Sequence, residues 1–439
     1  MTENKSSGTT RRQFCVSTAS ASLAAALSVS GSVGAFGANE RVRVGLIGCG
    51  GRGRDVFGTF LGEKDVDAAY VCDVDKDRLA SSAEGFAGRR ARPVDDIRRV
   101  LDDKSVDAVL VATPDHWHAP AAILACDAGK HVYVEKPCSH NVREGRLLVE
   151  AARRNRRVVQ HGTQVRSTPM MIEAMEKLRG DLIGDVLVAK AWNIQRRRSI
   201  GQQKPTDPPP SLDYDSWVGP ATFIPFQQNR VHGDWHWWWH FGTGDMGNDG
   251  VHDIDYCRWG LGVETHPDSV SALGGKYFFD DDQEFPDTQQ VSFEYRLPDG
   301  GRKMLIYEQR LWSTNHPHGV DSGVEFYGTK GQLFVSRRGR AELLDGDNRS
   351  VELKLTLGPQ DTDRHVRNFV AAVRGEETAN AEIAIGHQTT TLCHLGNLAT
   401  RLGRTLRFDP KKETIQGDEE ANALLGRSYR DHWGRPKGA

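Results

Sequence analysis

The chain has 439 residues, which is enough for two or three domains with buried cores. Apolar residues make up 38% and charged residues 26%, as in a soluble globular protein, and the formal net charge is −2. This balance argues against a nucleic-acid-binding surface and against a basic patch that would hold the protein on a membrane.

The N-terminus carries a distinct segment. Arg11 and Arg12 are followed by Phe14 and then by a weakly apolar run, 16–38, which is too rich in Ser and Gly for a good membrane span. We therefore predict that residues 1–38 are a cleavable twin-arginine signal peptide, that the protein is exported to the periplasm, and that the mature protein has no membrane span. The alternative is an unstructured tail in which two arginines are adjacent by chance.

Five short apolar runs follow, at 42–47, 66–72, 107–112, 131–134 and 157–160. Helical patterns separate several of them, for example at 118–130, where Gly129 would end the helix, and at 143–155, where Asn141 would be the N-cap. Alternation of apolar strands with helices indicates βαβ units and a parallel sheet. We predict a Rossmann domain with a doubly wound sheet, able to bind NAD(P), over residues 40–162.

The pattern changes after about residue 165. Runs with strict alternation occur at 290–297, 303–311, 324–329, 332–336 and 351–355. Alternation with period two is typical of antiparallel strands that have one buried face. Residues 163–439 are therefore expected to form a second α/β domain with an open, mainly antiparallel sheet.

The seven cysteines give no sign of a disulfide framework. Cys15 lies in the predicted signal, and the other six show no CxxC spacing. Several of them lie in apolar runs, so we expect buried thiols and neither disulfides nor a zinc site.

A glycine-rich turn follows the first predicted strand and fits the pattern G-x-G-x-x-G. In this pattern Gly48 allows a tight turn, Gly50 allows the backbone to approach a pyrophosphate, and Gly53 allows close packing of helix on strand. Asp73 closes the second strand, where a carboxylate would accept hydrogen bonds from a ribose diol and repel a 2′-phosphate. NAD is therefore favoured over NADP, and the alternative is a glycine-rich turn in a domain that binds nothing. Gly51 and Arg52 complete the predicted turn.

Two further motifs, TPDHWH and EKP, come directly after strands. Ligands of open α/β sheets bind at the carboxyl ends of the strands. A lysine beside a cationic nicotinamide would exchange protons with a substrate hydroxyl, although Glu135 and Lys136 could equally be a surface pair. The candidate cofactor-binding residues here are Thr113, Pro114, His116, His118, Glu135 and Lys136.

A third cluster lies in the segment 242–261. If 248–261 is helical, Asn248, His252 and Asp255 share one face, and His252 could take a proton while a neighbouring carboxylate orients it. The alternative is an N-capping Asn followed by an ordinary half-buried His.

The segment 230–240 contains four tryptophans, Trp235, Trp237, Trp238 and Trp239. Their flat faces suit sugar rings, but indoles also pack loops and interfaces, so one tryptophan could serve each purpose. His232, His236 and His240 are four residues apart, yet no carboxylate or cysteine pattern supports a metal, and we predict none. We take Trp235 and His236 as candidate substrate residues. Arg166 is another candidate, and the alternative for Arg166 is a salt bridge.

Taken in order, the glycine turn, TPDHWH, EKP and the GxHxxD of 250–255 resemble the Gfo/Idh/MocA family of glucose–fructose oxidoreductases and inositol dehydrogenases. The resemblance begins near Arg41 and continues to the C-terminus. Three later stretches, 326–331, 392–404 and 421–433, resemble exported members of the family.

The resemblance implies roles for particular residues. Lys136 would be the acid/base near C4 of the nicotinamide, with Glu135, Thr113 and Pro114 in contact with the cofactor, and His252 would contact the reacting hydroxyl. Family dehydrogenases have an aspartate four residues before that histidine, where this chain has Asn248. Asparagine holds neither a proton nor a charge. Either Asn248 only orients the substrate, or Asp255 or another acid supports His252. Asp249, which is adjacent to Asn248, and Asp255 are further candidates for substrate binding.

The function expected from these features is oxidation of a CH–OH group of a sugar, glycoside or cyclitol with tightly bound NAD. A second hypothesis is a redox-neutral enzyme that oxidises a ring hydroxyl, cleaves a glycosidic bond by elimination and returns the hydride. A third is a non-catalytic sugar-binding protein. A twin-arginine route carries folded proteins, so a cofactor could be loaded before export. The resemblance also implies that the open sheet pairs with another subunit, in a homodimer or homotetramer.

Overall fold

The computed structural model describes residues 41–439, and the predicted signal peptide lies outside them. The N-terminal part is built on six parallel strands in the order β3-β2-β1-β4-β5-β6, and this confirms the predicted Rossmann sheet. The strands are β1 Val42–Ile47, β2 Val66–Cys72, β3 Arg92–Val94, β4 Ala108–Val111, β5 His131–Val134 and β6 Val159–His161.

Helices connect these strands, and polar side chains cap several of them. Asn141 precedes the fifth helix, and its side chain accepts a hydrogen bond from the main-chain N–H of Glu144 at 2.9 Å, as predicted for an N-cap. Strand β3 is largely exposed and only three residues long, which explains why no apolar run signalled it. The helices are α1 Gly51–Gly62, α2 Lys76–Gly85, α3 Ile97–Asp102, α4 Asp115–Asp127 and α5 Val142–Asn155.

The second sheet has ten strands in the order β14-β13-β12-β11-β7-β10-β9-β8-β15-β16. Only the β7–β10 pair is parallel in this sheet, so the predicted, mainly antiparallel architecture is confirmed. The run 351–355 was predicted as a strand, but pairing ends at Val351, and Leu353 and Leu355 pack against the core without a ladder. The strands are β7 Val186–Asn193, β8 Ser269–Gly275, β9 Thr288–Arg296, β10 Arg302–Arg310, β11 Ser322–Gly328, β12 Gly331–Ser336, β13 Arg340–Asp345, β14 Ser350–Val351, β15 Leu406–Asp409 and β16 Thr414–Ile415.

Helices cover one face of this sheet. The remaining helices are α6 Pro169–Arg179, α7 Tyr214–Val218, α8 Gly244–Asn248, α9 Gly250–Leu261, α10 Thr362–Arg374, α11 Ile383–Leu402 and α12 Glu419–Ala423. Helices α9 and α11 pack on the sheet and bury a core that includes Ile254, Leu392 and Phe293. Helix α10 instead returns to the Rossmann sheet, where Phe369 packs on Phe60 and Tyr133.

Two general predictions can be compared with residues 41–439. The six cysteines in this range are all buried and unpaired, in agreement with the expectation of thiols. No α-helix among these residues is both long and apolar enough to cross a bilayer.

Candidate active site

A cavity of about 720 Å³ opens at the carboxyl ends of β1, β2, β4 and β5. Its other wall comes from the segment 232–236 of the second sheet's domain, so the cleft lies between the two halves of the chain. The predicted site residues that line it are Gly48, Gly50, Gly51, Arg52, Gly53, Asp73, Thr113, Pro114, His118, Glu135, Lys136, Trp235 and His236.

The glycine-rich turn leaves no room for side chains where it packs on the sheet. Gly48 has φ +97°, and a Cβ there would lie 2.5 Å from the main-chain oxygen of Ala112. A Cβ on Gly53 would lie 2.1 Å from the oxygen of Gly48. On the cavity side, a Cβ on Gly51 would meet nothing within 4 Å. The turn therefore opens α1 with free space in front of its N-terminal N–H groups, as anion binding requires.

Asp73 lies directly after β2 and faces the same turn. Its Oδ2 accepts a hydrogen bond from the N–H of Cys49 at 2.7 Å, and its Oδ1 accepts one from the N–H of Asp75 at 2.9 Å. Burial raises the pKa of this carboxyl, whereas these two N–H groups and the charge of Arg78 lower it. The carboxylate is thus held at the rim of the cavity with lone pairs left over for a ligand.

Glu135 and Arg52 form an ion pair on the cavity wall, with Arg52 Nη2 lying 2.9 Å from Glu135 Oε1. Gln164 Nε2 donates to the same oxygen at 3.3 Å. Burial opposes ionisation of Glu135, but the charges of Arg52 and Lys136 outweigh it and lower its pKa. The pair places Arg52 over the glycine turn, where its charge also suits a phosphate.

Lys136 is held by Asn248. Its Nζ donates to the main-chain oxygen of Asn248 at 2.6 Å and to Oδ1 of the same residue at 3.0 Å. Asn248 Nδ2 in turn donates to Asp245 Oδ1 at 3.0 Å. Because a carboxylate only accepts, the amide must turn its NH₂ toward Asp245 and its oxygen toward Lys136. An ammonium has three protons, so Lys136 keeps one for a ligand in the cavity.

Behind this contact lies a network of ion pairs. Arg197 pairs with Asp245 at 2.8 Å and also with Asp249, and buried Arg337 lies 3.2 Å from Asp249. Burial opposes ionisation of Asp249, but the charges of Arg337 and Arg197 hold its pKa well below the usual range. Asp249 does not line the cavity, since its carboxylate is engaged by these two arginines. Its predicted role in substrate binding therefore has no support in this arrangement.

The helix predicted over 248–261 is broken at Asp249. Asn248 ends α8 and His252 lies in the first turn of α9, so they do not share one continuous helix. His252 is buried and does not line the cavity, and its Nδ1 has no hydrogen-bond partner among residues 41–439. Burial, followed by the charges of Arg337 and Lys136, lowers its pKa well below the usual value, so the imidazole is neutral.

Arg166 and Asp255 were predicted as substrate-binding residues, but the structure engages them with each other. Arg166 Nε lies 2.7 Å from Asp255 Oδ2, and both side chains are buried. Thr389 Oγ1 also donates to Asp255 at 2.7 Å. Neither residue lines the cavity. Asp255 therefore does not support His252, and Arg166 takes the alternative role of a salt bridge, though a buried one.

The tryptophan-rich segment divides between the two roles considered for it. Trp235 stacks on His236 with ring centroids 3.6 Å apart, and both residues line the cavity. Trp237 and Trp238 are buried in an apolar cluster against which Trp235 also packs, and Trp239 packs on Phe285. Burial lowers the pKa of His236 to about 3, so this ring is neutral and presents an uncharged surface.

The two histidines of the TPDHWH motif, both predicted to bind the cofactor, differ in their position relative to the cavity. His118 lines the cavity, and its ring nitrogens lie 2.6 Å from the oxygen of Pro137 and 2.8 Å from that of Thr113. His116 points away, since its Nε2 lies 2.8 Å from the oxygen of Trp217 and its ring packs on Phe241. The two histidines are two residues apart on α4, so their rings lie on different sides of the helix. His116 therefore packs in the fold and does not touch the cavity.

Sequence reasoning missed several residues of the site. Arg78, His232 and Trp433 line the cavity, and Trp433 comes from the C-terminal segment, which folds back over the Rossmann domain. Arg197, Asp245 and Arg337 organise the network behind Lys136. Arg197 is one of three consecutive arginines, so no pattern distinguished it from its neighbours.

The fold and the cleft are those of a protein that joins a dinucleotide-binding Rossmann domain to a second α/β domain. The chain belongs to the Gfo/Idh/MocA oxidoreductase family. The family's NAD-binding Rossmann fold matches residues 42–163, and its C-terminal alpha/beta domain matches residues 191–435.

Several known proteins are similar over part of the chain. A glycosyl hydrolase family 109 protein of Saccharopolyspora erythraea is 34% identical over 176 residues, which cover 38% of each chain. Inositol 2-dehydrogenase 2 of the same organism is 31% identical over 51% of this chain and 55% of its own. An alpha-N-acetylgalactosaminidase of Shewanella oneidensis is 29% identical over 36% of each. The chain thus matches about a third to a half of these relatives' lengths.

Solved structures share the fold at low identity. A levoglucosan dehydrogenase in complex with NADH and levoglucosan superposes with TM-score 0.63 and 19% identity, covering 84% of this chain and 99% of that one. The WlbA dehydrogenase of Bordetella pertussis, in complex with NADH and UDP-GlcNAcA, gives TM-score 0.64 at 19% identity over the same shares.

Proposed function

We propose that this protein is an NAD-dependent oxidoreductase that acts on a CH–OH group of a sugar, glycoside or cyclitol and holds its cofactor tightly. One observation carries the proposal. A single cavity is lined by the glycine turn and Asp73 and also by Lys136, Trp235 and His236. A dinucleotide and a small polyol would therefore meet in one cleft, beside a lysine that can exchange a proton.

The cavity residues fit NAD. The turn at Gly48–Gly53 and the side chain of Arg52 would receive the pyrophosphate, and Asp73 would accept hydrogen bonds from the adenosine ribose. Thr113 Oγ1 is buried and has no partner among residues 41–439, so it is available to the same ligand. Bound NAD would supply the acceptor for the substrate's hydride. The Asp73 carboxylate would repel a 2′-phosphate, so NADP is disfavoured.

The chain's own residues would then move the hydroxyl proton. Lys136 makes two bonds to Asn248, which leave one position on its Nζ for the substrate. In the neutral amine this position is a lone pair that would accept the hydroxyl proton, and the ammonium so formed would return that proton in the reverse step. His252 does not itself line the cavity. Its neutral imidazole has one donor and one acceptor nitrogen, so it would pass on a proton only through a group that does line the cavity. The flat Trp235–His236 stack offers an apolar surface for the C–H face of a sugar ring.

A second candidate function is redox-neutral cleavage of a glycoside. Its support is the similarity to glycosyl hydrolase family 109 proteins, although the matched segments cover little more than a third of those chains. The same lysine would serve both reactions, since each begins with removal of a hydroxyl proton. The two functions differ in whether the reduced nicotinamide persists after the substrate is consumed.

Export and assembly complete the proposal. The arginine pair and apolar run of residues 1–38 support secretion by the twin-arginine route to the periplasm, where little free NAD exchanges with a bound cofactor.

The uncovered face of the ten-stranded sheet exposes Leu187, Met304 and Tyr327 on the neighbouring strands β7, β10 and β11. An apolar patch on a sheet supports pairing with a second copy, as a homodimer or homotetramer.

The decisive experiment is a single-turnover reaction of the purified full chain with a panel of sugars, cyclitols and glycosides, while the nicotinamide absorbance is followed. If a free sugar or cyclitol reduces the nicotinamide and the nicotinamide stays reduced, the result supports the dehydrogenase. Release of a sugar from a glycoside with only transient reduction supports the redox-neutral alternative. No change in absorbance, and no product, with any member of the panel contradicts both and favours a non-catalytic sugar-binding protein.

A further inference from the structure

The order of the Rossmann strands separates two ends of the cleft. Asp73 directly follows β2 and Lys136 comes just after β5, and the strands β1 and β4 lie between β2 and β5 in the sheet. At about 4.8 Å per strand, β2 and β5 are roughly 14 Å apart. A dinucleotide that has its adenosine ribose at Asp73 and its nicotinamide at Lys136 therefore places its adenine on the side of β2 and β3.

The segment after β3 borders this adenosine end of the cleft. The main-chain N–H of Asp73 donates to the oxygen of Val94 at 3.3 Å, so β3 ends beside Asp73. The next five residues, 95–99, all line the cavity. Among them Ile97 packs against the apolar cluster that contains Trp117, which lines the cavity as well. The adenosine end thus offers apolar surface, as a purine ring requires.

One side chain at this end comes from the C-terminal segment 427–435. Trp433 lines the cavity, and the centre of its ring lies 4.7 Å from Cζ of Arg98 and 5.6 Å from the ring centre of Trp117. Because Arg98 belongs to the segment after β3, these contacts place Trp433 at the adenosine end. The residue is nevertheless 41% exposed, so much of its indole is free to meet a ligand.

Specific contacts hold the segment 427–435 in this position. The guanidinium of Arg430 donates to the main-chain oxygen of Asp215 at 2.6 Å. A Cβ on Gly434 would lie 2.7 Å from the ring of Trp117, so a side chain there would force the segment away from α4. Segments near a terminus are ordered when they are tied down in this way. The indole of Trp433 is therefore fixed at the cleft before any ligand arrives.

We infer that Trp433 binds the adenine of the cofactor and that the segment 427–435 closes the adenosine end of the cleft. The inference rests on the proposed function, because it needs a dinucleotide in this cavity. The flat indole provides a stacking surface for a purine, and the guanidinium of Arg98 adds a planar cation beside it. This contact gives a physical reason for tight retention of NAD, since a residue from outside the Rossmann domain covers the adenosine half.

The test is calorimetric titration of the full-length protein, freed of nucleotide, with two probes. NAD is the whole cofactor, and ADP-ribose lacks only the nicotinamide. Trp433→Ala removes the indole, and Trp433→Phe keeps an aromatic ring. Trp312→Ala is the matched control, because Trp312 is 37% exposed and does not line this cavity.

Trp433→Ala should weaken the binding of NAD and of ADP-ribose by the same factor, about tenfold or more, because stacking of a base on an aromatic side chain contributes about that much to affinity. An equal loss for the two probes assigns the contact to the adenosine half. Trp433→Phe should lose less than Trp433→Ala, and Trp312→Ala should bind both probes as the wild type does. Purified Trp433→Ala should also retain less NAD per chain than the wild type.

Three results would overturn the inference and leave the proposed function standing. They are an unchanged affinity for ADP-ribose in Trp433→Ala, a loss for NAD alone, and an equal loss in Trp312→Ala. A wild type that binds neither probe would contradict the proposed function and the inference with it. If Trp433→Ala does not fold, Trp433→Leu, which keeps apolar bulk against Trp117, decides the question by the same criteria.

Discussion

The Nζ atom of Lys136 lies 3.0 Å from Oδ1 of Asn248 and 2.6 Å from the main-chain oxygen of the same residue. Asp245 binds the other end of that amide at 3.0 Å. The family resemblance leads one to expect an aspartate at position 248, and the structure gives a reason for asparagine. An amide can accept from the lysine and donate to the buried carboxylate of Asp245 at the same time, whereas an ionised carboxylate can only accept.

Asn248→Asp should therefore destabilise the fold at neutral pH. The new carboxylate would face Asp245 and lose the bond between them, at a cost of about 1–3 kcal/mol in the free energy of unfolding. Urea unfolding at pH 7.5 and at pH 5 measures this, and part of the loss should be recovered at the lower pH, where one carboxyl is protonated. Asn315→Asp, at an exposed position, is the control and should change little. An unchanged free energy of unfolding at both pH values would show that the bridge is unimportant.

Lys136→Met should abolish turnover while leaving cofactor binding intact. Removal of a group that transfers a proton in the transition state lowers rates by about 10²- to 10⁴-fold. The variant should still retain NAD, because the glycine turn and Asp73 are untouched. Lys204→Met, on an exposed loop, is the matched control. Turnover within a few-fold of wild type in Lys136→Met would remove the lysine from the mechanism.

Asp73→Asn should change the preference between the two dinucleotides. The amide keeps the shape of the side chain but removes the charge that repels a 2′-phosphate. We expect NADH to bind about tenfold more weakly and NADPH more strongly, as measured by fluorescence titration. Asp67→Asn is the control, because Asp67 lies near the start of β2, the strand that Asp73 follows, and this change should not alter the ratio. A ratio that is also unchanged in Asp73→Asn would mean that Asp73 does not face the ribose.

The buried pair of Arg166 and Asp255 should act on stability and not on substrate affinity. Asp255→Asn leaves an unpaired buried guanidinium, which costs about 3–5 kcal/mol. The exposed pair of Lys330 and Asp181 provides the control, since Asp181→Asn should cost about 0–1 kcal/mol. Thermal unfolding and KM are measured together. A raised KM with unchanged stability would restore the substrate-binding role first predicted for these residues.

Stability should fall in acid because several buried histidines resist protonation. Burial lowers the pKa of His116 from 6.5 to about 3. A depressed folded-state pKa means that the stabilisation is complete above about pH 6.5 and is lost as the pH falls toward 3, at roughly 1.4 kcal/mol per pH unit. Other histidines with the same sign are His131, His161, His236, His365 and His394.

Two buried carboxyls, Asp115 and Asp253, have the opposite effect on stability in acid. Burial raises their pKa to about 7, so the folded state binds their protons more readily than the unfolded state does, and their contribution to stability grows as the pH falls below 7. The contribution of one histidine can still be isolated. His116→Gln should reduce the slope of unfolding free energy against pH by roughly 1.4 kcal/mol per unit between pH 6 and 4. His316→Gln, at an exposed position, should leave the slope unchanged. Identical slopes for wild type and His116→Gln would contradict the assignment.

The parts of this structure that were predictable are those encoded locally. Strands β1, β2 and β5 matched their apolar runs because each is buried on both faces, and the glycine turn was recognisable because Gly48 must adopt a positive φ. The network behind Lys136 was not predictable. Arg337 and Asp249 are 88 residues apart, and only the register of two distant elements brings them together. The same holds for Arg166 and Asp255, whose ion pair no spacing rule could have indicated.

The cofactor bound to the purified full chain tests the central claim most directly. The protein is denatured without added nucleotide, and the released dinucleotide is identified and counted by mass spectrometry. We predict close to one NAD per chain in the wild type and in Lys136→Met. A protein that releases no dinucleotide, and binds none when NAD is added, would contradict the proposed function.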